Sequence, residues 1–259
     1  MSLGKHLGGD LIKAYIDERL ITTQQLVVFL SQIKKYGQRT LAEAQTSTAL
    51  PGPKNMKEWY LLSYNQVSFG GWGWILLLTL TQLYNTQGDY TTVFDVVWPA
   101  LSYVQTAALF EVLHSLLGWV RAPVMTTAMQ VASRLFLVWG VNYIVPEIHT
   151  HWSFTTMVIA WSIAELVRYS FYTFHLSGGV PGFVSWARYN FFFILYPLGV
   201  FSEMMMVYQA LPYAKAIDTL YFYGLIAVAL IYIPGFPVLF SHMLVQRKKY
   251  MRGDTKKKQ

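Results

Sequence analysis

Six apolar stretches follow one another from Tyr60 onward, over residues 60–84, 97–119, 123–145, 152–175, 186–209 and 219–245. Each is long enough for the ~20 residues that an α-helix needs to cross the hydrocarbon core of a bilayer. Backbone N–H and C=O groups find no partner in lipid, so such segments close their hydrogen bonds internally and are helical. The pattern predicts an all-α polytopic membrane protein with six transmembrane helices in a bundle. Residues 1–55 differ, being polar and mixed in charge. There Thr22 or Thr23 can cap a short helix carrying Leu26, Val27, Phe29, Leu30 and Ile33 and stopping near Gly37, and Thr40 a second over Leu41–Gln45. Thr46–Pro53, with Pro51-Gly52-Pro53, reads as a linker. No apolar run follows the early charges, so no cleavable signal is expected. The chain divides into an N-terminal extension (1–55), a membrane domain (56–245) and a basic tail (246–259).

Composition agrees with this reading. Hydrophobic residues make up 54% of the chain and charged residues only 13%, against about a quarter charged in soluble domains. Aromatics at 17% suit membrane-interface belts. The absence of cysteine excludes disulfides, thiolate catalysis and cysteine-based metal sites.

Loop charge then orients the bundle. Lys54 and Lys57 precede the first stretch, Arg121 separates the second and third, Arg188 opens the fifth, and a Lys/Arg tail follows the sixth. The alternate loops hold Asp89 and Asp95, then Glu147, His149 and His151, then Lys215 with Asp218. Lys and Arg favour the cytoplasmic side, so both termini are expected to be cytosolic. The tail Arg247, Lys248, Lys249, Arg252, Lys256, Lys257 and Lys258 carries most of the net charge of +7. Directly after an apolar segment, it reads as an anchor on anionic lipid rather than a nucleic-acid surface. Lys256-Lys257-Lys258-Gln259 has the pattern of the dilysine retrieval signal of endoplasmic reticulum membrane proteins, which predicts that membrane as the location.

A charge at mid-bilayer costs several kcal/mol, which makes every ionisable residue inside a span a functional candidate. These are Glu111, His114, Arg134, Glu165, Arg168 and Glu203. Glu165 and Arg168 stand at i,i+3 and can neutralise each other, while Glu111 can pair with Arg134 across helices. No nearby His or Cys would share a metal with His114, which favours a packing role. Glu203 has no basic partner within a turn, and a lone carboxyl group in apolar surroundings suits proton transfer. Tyr196 lies seven residues earlier on the same face, ~10.5 Å away along the axis, and Arg188, Phe192, Tyr196, Gly199 and Glu203 form one stripe. Pro197 is expected to kink the helix, and Gly199 to leave a notch between phenol and carboxyl group. Periodicity alone leaves open a kinked span with an interface tyrosine and a glutamate bonded to a neighbouring helix.

The stretch Trp186-Ala187-Arg188-Tyr189-Asn190-Phe191-Phe192-Phe193-Ile194-Leu195-Tyr196-Pro197-Leu198-Gly199-Val200, with Ser202-Glu203 after it, resembles the signature of the 3-hydroxyacyl-CoA dehydratases, also called the protein tyrosine phosphatase-like family. Phe110-Glu111-Val112-Leu113-His114-Ser115-Leu116-Leu117-Gly118, Gln130-Val131-Ala132-Ser133-Arg134, and Trp161-Ser162-Ile163-Ala164-Glu165 running on to Arg168, Tyr169 and Tyr172 support it in order. The resemblance covers residues 57–245. It implies six spans, cytosolic termini and dehydration of a long-chain 3-hydroxyacyl-CoA to the trans-2-enoyl-CoA, the third step of fatty-acid elongation. It also implies a Tyr/Glu catalytic pair at Tyr196 and Glu203, with Arg188 and Gly199 at positions the family needs. An elongase or reductase of the same cycle is the candidate partner for residues 1–55. His114-Ser115-Leu116-Leu117-Gly118-Trp119-Val120-Arg121 has phosphatase-loop spacing, but Ser115 stands where a thiolate would, so phosphatase chemistry is rejected.

Dehydration needs a base for the C2 proton and an acid for the leaving hydroxyl. Glu203 is read as base and Tyr196 as donor, with the reverse assignment also open. Coenzyme A, a polyanion, is expected at the cytosolic mouth near Arg121, Arg188 and Arg168, with Tyr196 ~12 Å and Glu203 ~22 Å further in. No metal and no nicotinamide or flavin cofactor is called for, since no glycine-rich dinucleotide loop follows a strand. Two competing classes are a transporter, which buried Glu, Arg and His could serve as a relay, and a non-catalytic assembly factor. The lack of repeated broken segments disfavours the first, and the presence of both Tyr196 and Glu203 the second.

Overall fold

A computed structural model describes residues 52–252 together with Ser31. The two helices expected within 1–55, most of the expected linker, and lysines 256–258 lie outside the described residues. Residues 52–180 and 184–252 belong to one compact unit. Among the described residues there are helices and turns and no strand.

The first helix, α1 (Met56–Asn85), starts at a reciprocal cap. Asn55 Oδ1 accepts from Glu58 N at 2.9 Å, and Glu58 Oε2 from Lys54 N at 2.7 Å, satisfying donors that the first turn leaves free. Then come α2 (Val93–Ala107), α3 (Leu109–Leu116) and α4 (Val124–Leu135), the last continuing as a π-helical segment over Phe136–Asn142. α5 (Trp152–Leu176), α6 (Gly182–Asn190), α7 (Phe192–Ile217) and α8 (Thr219–Met251) complete the chain.

α5 is the central element. It packs along α1 on one side and α7 on the other; α2 covers α1, and α8 covers α7. Its buried residues include Phe154, Met157, Val158, Trp161, Ser162, Glu165 and Tyr169. Around it, Ile75, Val97, Leu101, Leu137, Val141 and Met206 form one apolar core. Between α1 and α2, a Cβ at Gly71 would stand 2.9 Å from Val104 Cγ2, so that glycine sets how closely the two helices approach.

Four stretches are long and apolar enough to cross a membrane: Tyr90–Leu116, Val124–Asn142, Phe192–Ile217 and Thr219–Met251. α1 and α5, with 30 and 25 residues, are long enough but more polar. Enclosure explains the polarity of α5, because a helix walled by protein does not need an apolar surface all round.

Three expected spans differ in detail. Stretch 97–119 is two helices meeting at Ala108, and it ends where Gly118, at φ +65°, takes the left-handed conformation that closes a helix. Stretch 123–145 widens into the π segment. There Tyr143 N bonds Val138 O five residues back, and the Asn142 side chain donates to Leu137 O at 2.7 Å. Stretch 186–209 is divided at Phe191. The Asn190 side chain donates to Trp186 O at 2.8 Å, competing with the helix backbone for that carbonyl, while its oxygen accepts from Arg247 Nε at 3.0 Å. Arg188 therefore sits on α6, and Phe192, Tyr196, Gly199 and Glu203 on α7, with Phe191 between them in helical conformation.

Phe154 is fully buried and packs against Phe94 with ring centroids 4.9 Å apart. Phe154→Ala is expected to destabilise the fold by about 3 kcal/mol through the cavity it leaves. Leu220→Ala, at a position 82% exposed, should cost less than about 0.5 kcal/mol. Thermal unfolding in detergent measures both.

Candidate active site

Two polar clusters lie along α5, joined by one tryptophan. In the first, Arg168 uses its whole guanidinium fork. Nη1 and Nη2 donate to the two oxygens of Glu111 at 2.7 Å each, and Nε donates to Glu165 Oε2 at 2.7 Å. Arg134 Nη1 pairs with the other oxygen of Glu165, and the Tyr169 hydroxyl donates to Glu111. The i,i+3 pair Glu165–Arg168 forms as the spacing predicts. The cross-helix pair does not: Glu111 on α3 bonds Arg168, and Arg134 on α4 bonds Glu165. Two carboxylates and two guanidinium groups balance, which is how such charges persist away from water.

This cluster corrects the expected phosphate cradle, because Arg168 is committed to Glu111 and Glu165. Arg121 lies exposed in the loop between α3 and α4. Arg188 donates to Tyr172 Oη at 3.2 Å, and its guanidinium carbon stands 4.5 Å from the ring centroid of Phe171. His114 has Tyr60 Oη 3.1 Å from its Nε2 and packs edge-on to Tyr64 with centroids 4.8 Å apart, a packing position. Ser115 Oγ donates to Ala122 O at 2.7 Å, which ties down the hydroxyl at the phosphatase-like spacing.

The second cluster surrounds Glu203 on α7. Trp161 Nε1 of α5 donates to its Oε1 at 2.8 Å, and Tyr232 Oη of α8 donates to its Oε2 at 2.8 Å. Both oxygens are thus engaged by neutral side chains, one from α5 and one from α8. The ring of Trp161 also lies 5.2 Å from the guanidinium carbon of Arg134, so one indole touches both clusters. The Tyr196 ring stacks on Phe236 of α8 at 5.2 Å, and no hydrogen bond to its hydroxyl is found among the described residues. A Cβ at Gly199 would stand 3.9 Å from Ala160 Cβ and 4.0 Å from Glu203 Oε1. The glycine thus leaves space beside the carboxylate, bounded by α5.

A groove of 510 Å³ runs between α7 and α8, with Val200, Met204, Ile226, Leu230, Tyr232 and Phe236 among its lining residues. Neither Tyr196 nor Glu203 lines it, but Phe236, stacked on the first, and Tyr232, bonded to the second, both do. Sequence reasoning missed the two residues that hold Glu203. Trp161 carried a signal, standing one turn before Glu165 on the same face of α5. Tyr232 carried little: it is one of three tyrosines in an apolar run.

The family described as "Protein tyrosine phosphatase-like protein, PTPLA" matches residues 105–253, which hold both clusters. The chain belongs to this family. Similar to it are very-long-chain (3R)-3-hydroxyacyl-CoA dehydratase PASTICCINO 2 of Arabidopsis thaliana, 42% identical over 204 residues (73% of this chain, 91% of the relative). Dehydratase 1 of Ovis aries is 38% identical over 209 residues (76% and 72%), and dehydratase 2 of Homo sapiens is 38% identical over 205 residues (74% and 80%). No solved structure matches the chain.

For this PTPLA-family chain the ion cluster has a measurable weight. Glu165 is 3% exposed and faces two arginines, so Glu165→Gln leaves excess positive charge inside the bundle. The expected cost is about 3 kcal/mol, against almost nothing for Glu147→Gln in an exposed turn, both read by thermal unfolding.

Proposed function

We propose that this chain is a hydro-lyase that dehydrates very-long-chain 3-hydroxyacyl-CoA to trans-2-enoyl-CoA, with Tyr196 and Glu203 as its catalytic pair. The names of its relatives support the reaction class. One observation carries the residue assignment. Of the three acids inside the six apolar stretches, Glu111 and Glu165 are neutralised by arginines, while Glu203 is bonded to the neutral donors Trp161 and Tyr232. It keeps the capacity to take a proton.

The substrate's C2–H bond, made acidic by the thioester, breaks toward Glu203. Its electron pair forms the C2=C3 double bond. The C3–O bond breaks, and the oxygen leaves as water with the proton of the Tyr196 hydroxyl. Proton return from Glu203 to the phenolate restores both groups. The two acceptor bonds at Glu203 favour it as the base, and the uncommitted hydroxyl of Tyr196 favours it as the donor. The space beside Gly199 lies next to the carboxylate, where a small reacting unit can approach. Arg121 and Arg188 remain the candidates for the coenzyme A phosphates.

The wider reading is a six-span protein of the endoplasmic reticulum membrane with both termini cytosolic, acting at the third step of fatty-acid elongation beside an elongase or reductase. α1 and α5 would be the two further spans; at 1.5 Å per residue they extend ~45 and ~38 Å, beyond the ~30 Å core.

Glu203→Gln and Tyr196→Phe keep shape and remove the proton chemistry. Each is expected to lower kcat by about 10²- to 10⁴-fold in purified, folded protein; near-wild-type turnover by either removes the pair. For the coenzyme A end, Arg121→Ala and Arg188→Ala should raise KM for acyl-CoA more than Phe192→Ala does. Steady-state kinetics in which both arginine variants keep the wild-type KM would eliminate that cradle.

A further inference from the structure

Glu203 extends from α7 between two other helices, and each of its oxygens is taken by a different one. Trp161 reaches it from α5 and Tyr232 from α8, both at 2.8 Å. A carboxyl group held at one oxygen can still swing about its last bond; held at both, by rings on separate helices, it is fixed in plane and in depth. The two donors are also anchored differently. The Trp161 indole is 2% exposed and lies against the Arg134 guanidinium, so the ion cluster of α3, α4 and α5 backs it. Tyr232 stands on the wall of the α7–α8 groove, four residues before Phe236, whose ring stacks on Tyr196. Residues at i and i+4 share a helix face, so one face of α8 supports both members of the catalytic pair.

We infer that Tyr232 is a positioning residue that, with Trp161, aims the Glu203 carboxylate at the C2 proton of the acyl substrate. It acts through Glu203 and does not itself touch the reacting atoms. The inference rests on the dehydratase reading. It adds that α8, whose residues lie outside the motif around Tyr196 and Glu203, controls how the base is presented.

Tyr232→Phe removes one oxygen atom and keeps the ring on the groove wall. Loss of a hydrogen bond to a charged acceptor, felt where the base must be aimed, is expected to lower kcat by about tenfold to a hundredfold. KM for the 3-hydroxyacyl-CoA should stay within about twofold, because ground-state binding is untouched. Two further readouts separate positioning from simple support of the fold. In the infrared, the carboxylate band of Glu203, isolated as the difference between wild type and Glu203→Gln, should move on Tyr232→Phe. In a Glu203→Asp background, where the shortened acid no longer reaches Tyr232, Tyr232→Phe should change kcat by less than about twofold. An unmoved carboxylate band, or a kcat loss equally large in the Asp background, overturns the inference. If wild-type protein makes no enoyl-CoA, the dehydratase reading itself fails. Wild-type activity that depends on Glu203 but is indifferent to Tyr232→Phe sinks only this inference.

Discussion

Hydrocarbon does not solvate charge, so a bundle that carries two glutamates and two arginines among apolar helices must enclose them in protein and pair them completely. α5 meets that constraint by lying between α1 and α7. Arg168 bonds both Glu111 and Glu165, and Arg134 completes Glu165. With these four groups satisfied by one another, α3, α4 and α5 are tied together at one level. The indole of Trp161 then lies against Arg134 on one side and donates to Glu203 on the other. The placement of the Glu203 carboxylate follows from the need to neutralise charges it does not contact directly.

The same enclosure gives Glu203 its distinct chemistry. An acid beside an arginine is held as a spectator anion by a fixed countercharge. Glu203 has hydrogen-bond donors but, among the described residues, no salt bridge, so it is oriented without a paired countercharge. Tyr196 is placed by stacking on Phe236, which fixes its ring and leaves its hydroxyl open. One residue of the pair is held by hydrogen bonds and the other by ring packing. The space beside Gly199 borders the carboxylate, and in the proposed reaction it is where substrate approaches.

Much of this was legible in the sequence because membranes impose simple rules. Long apolar runs show as helices, and ionisable residues inside them single out the interior; all six such residues flagged that way lie in or beside the two clusters. Partner choice was less visible. Glu111 and Arg134 lie on neighbouring runs and invite pairing, yet each bonds to α5, where Arg168 and Glu165 reach across to them. The division at Phe191 depends on the Asn190 side chain, and the widening at Phe136–Asn142 on a five-residue backbone bond; neither alters hydropathy. Tyr232 was hidden for the same reason, since nothing in hydropathy separates it from Tyr221 and Tyr223 in the same run. The polarity of α5 shows the converse: hydropathy registers contact with lipid, and a helix covered by protein registers weakly.

The central claim is proton abstraction from C2 by a carboxylate inside a membrane protein that needs no other component. It is tested most directly by giving the purified chain a 3-hydroxyacyl-CoA carrying deuterium at both C2 positions, with nothing else added. The account predicts trans-2-enoyl-CoA retaining one deuterium, formed more slowly than from the unlabelled substrate. Folded protein that yields no enoyl product, or a 3-enoyl product that keeps both deuteriums because the proton left from C4, would contradict it.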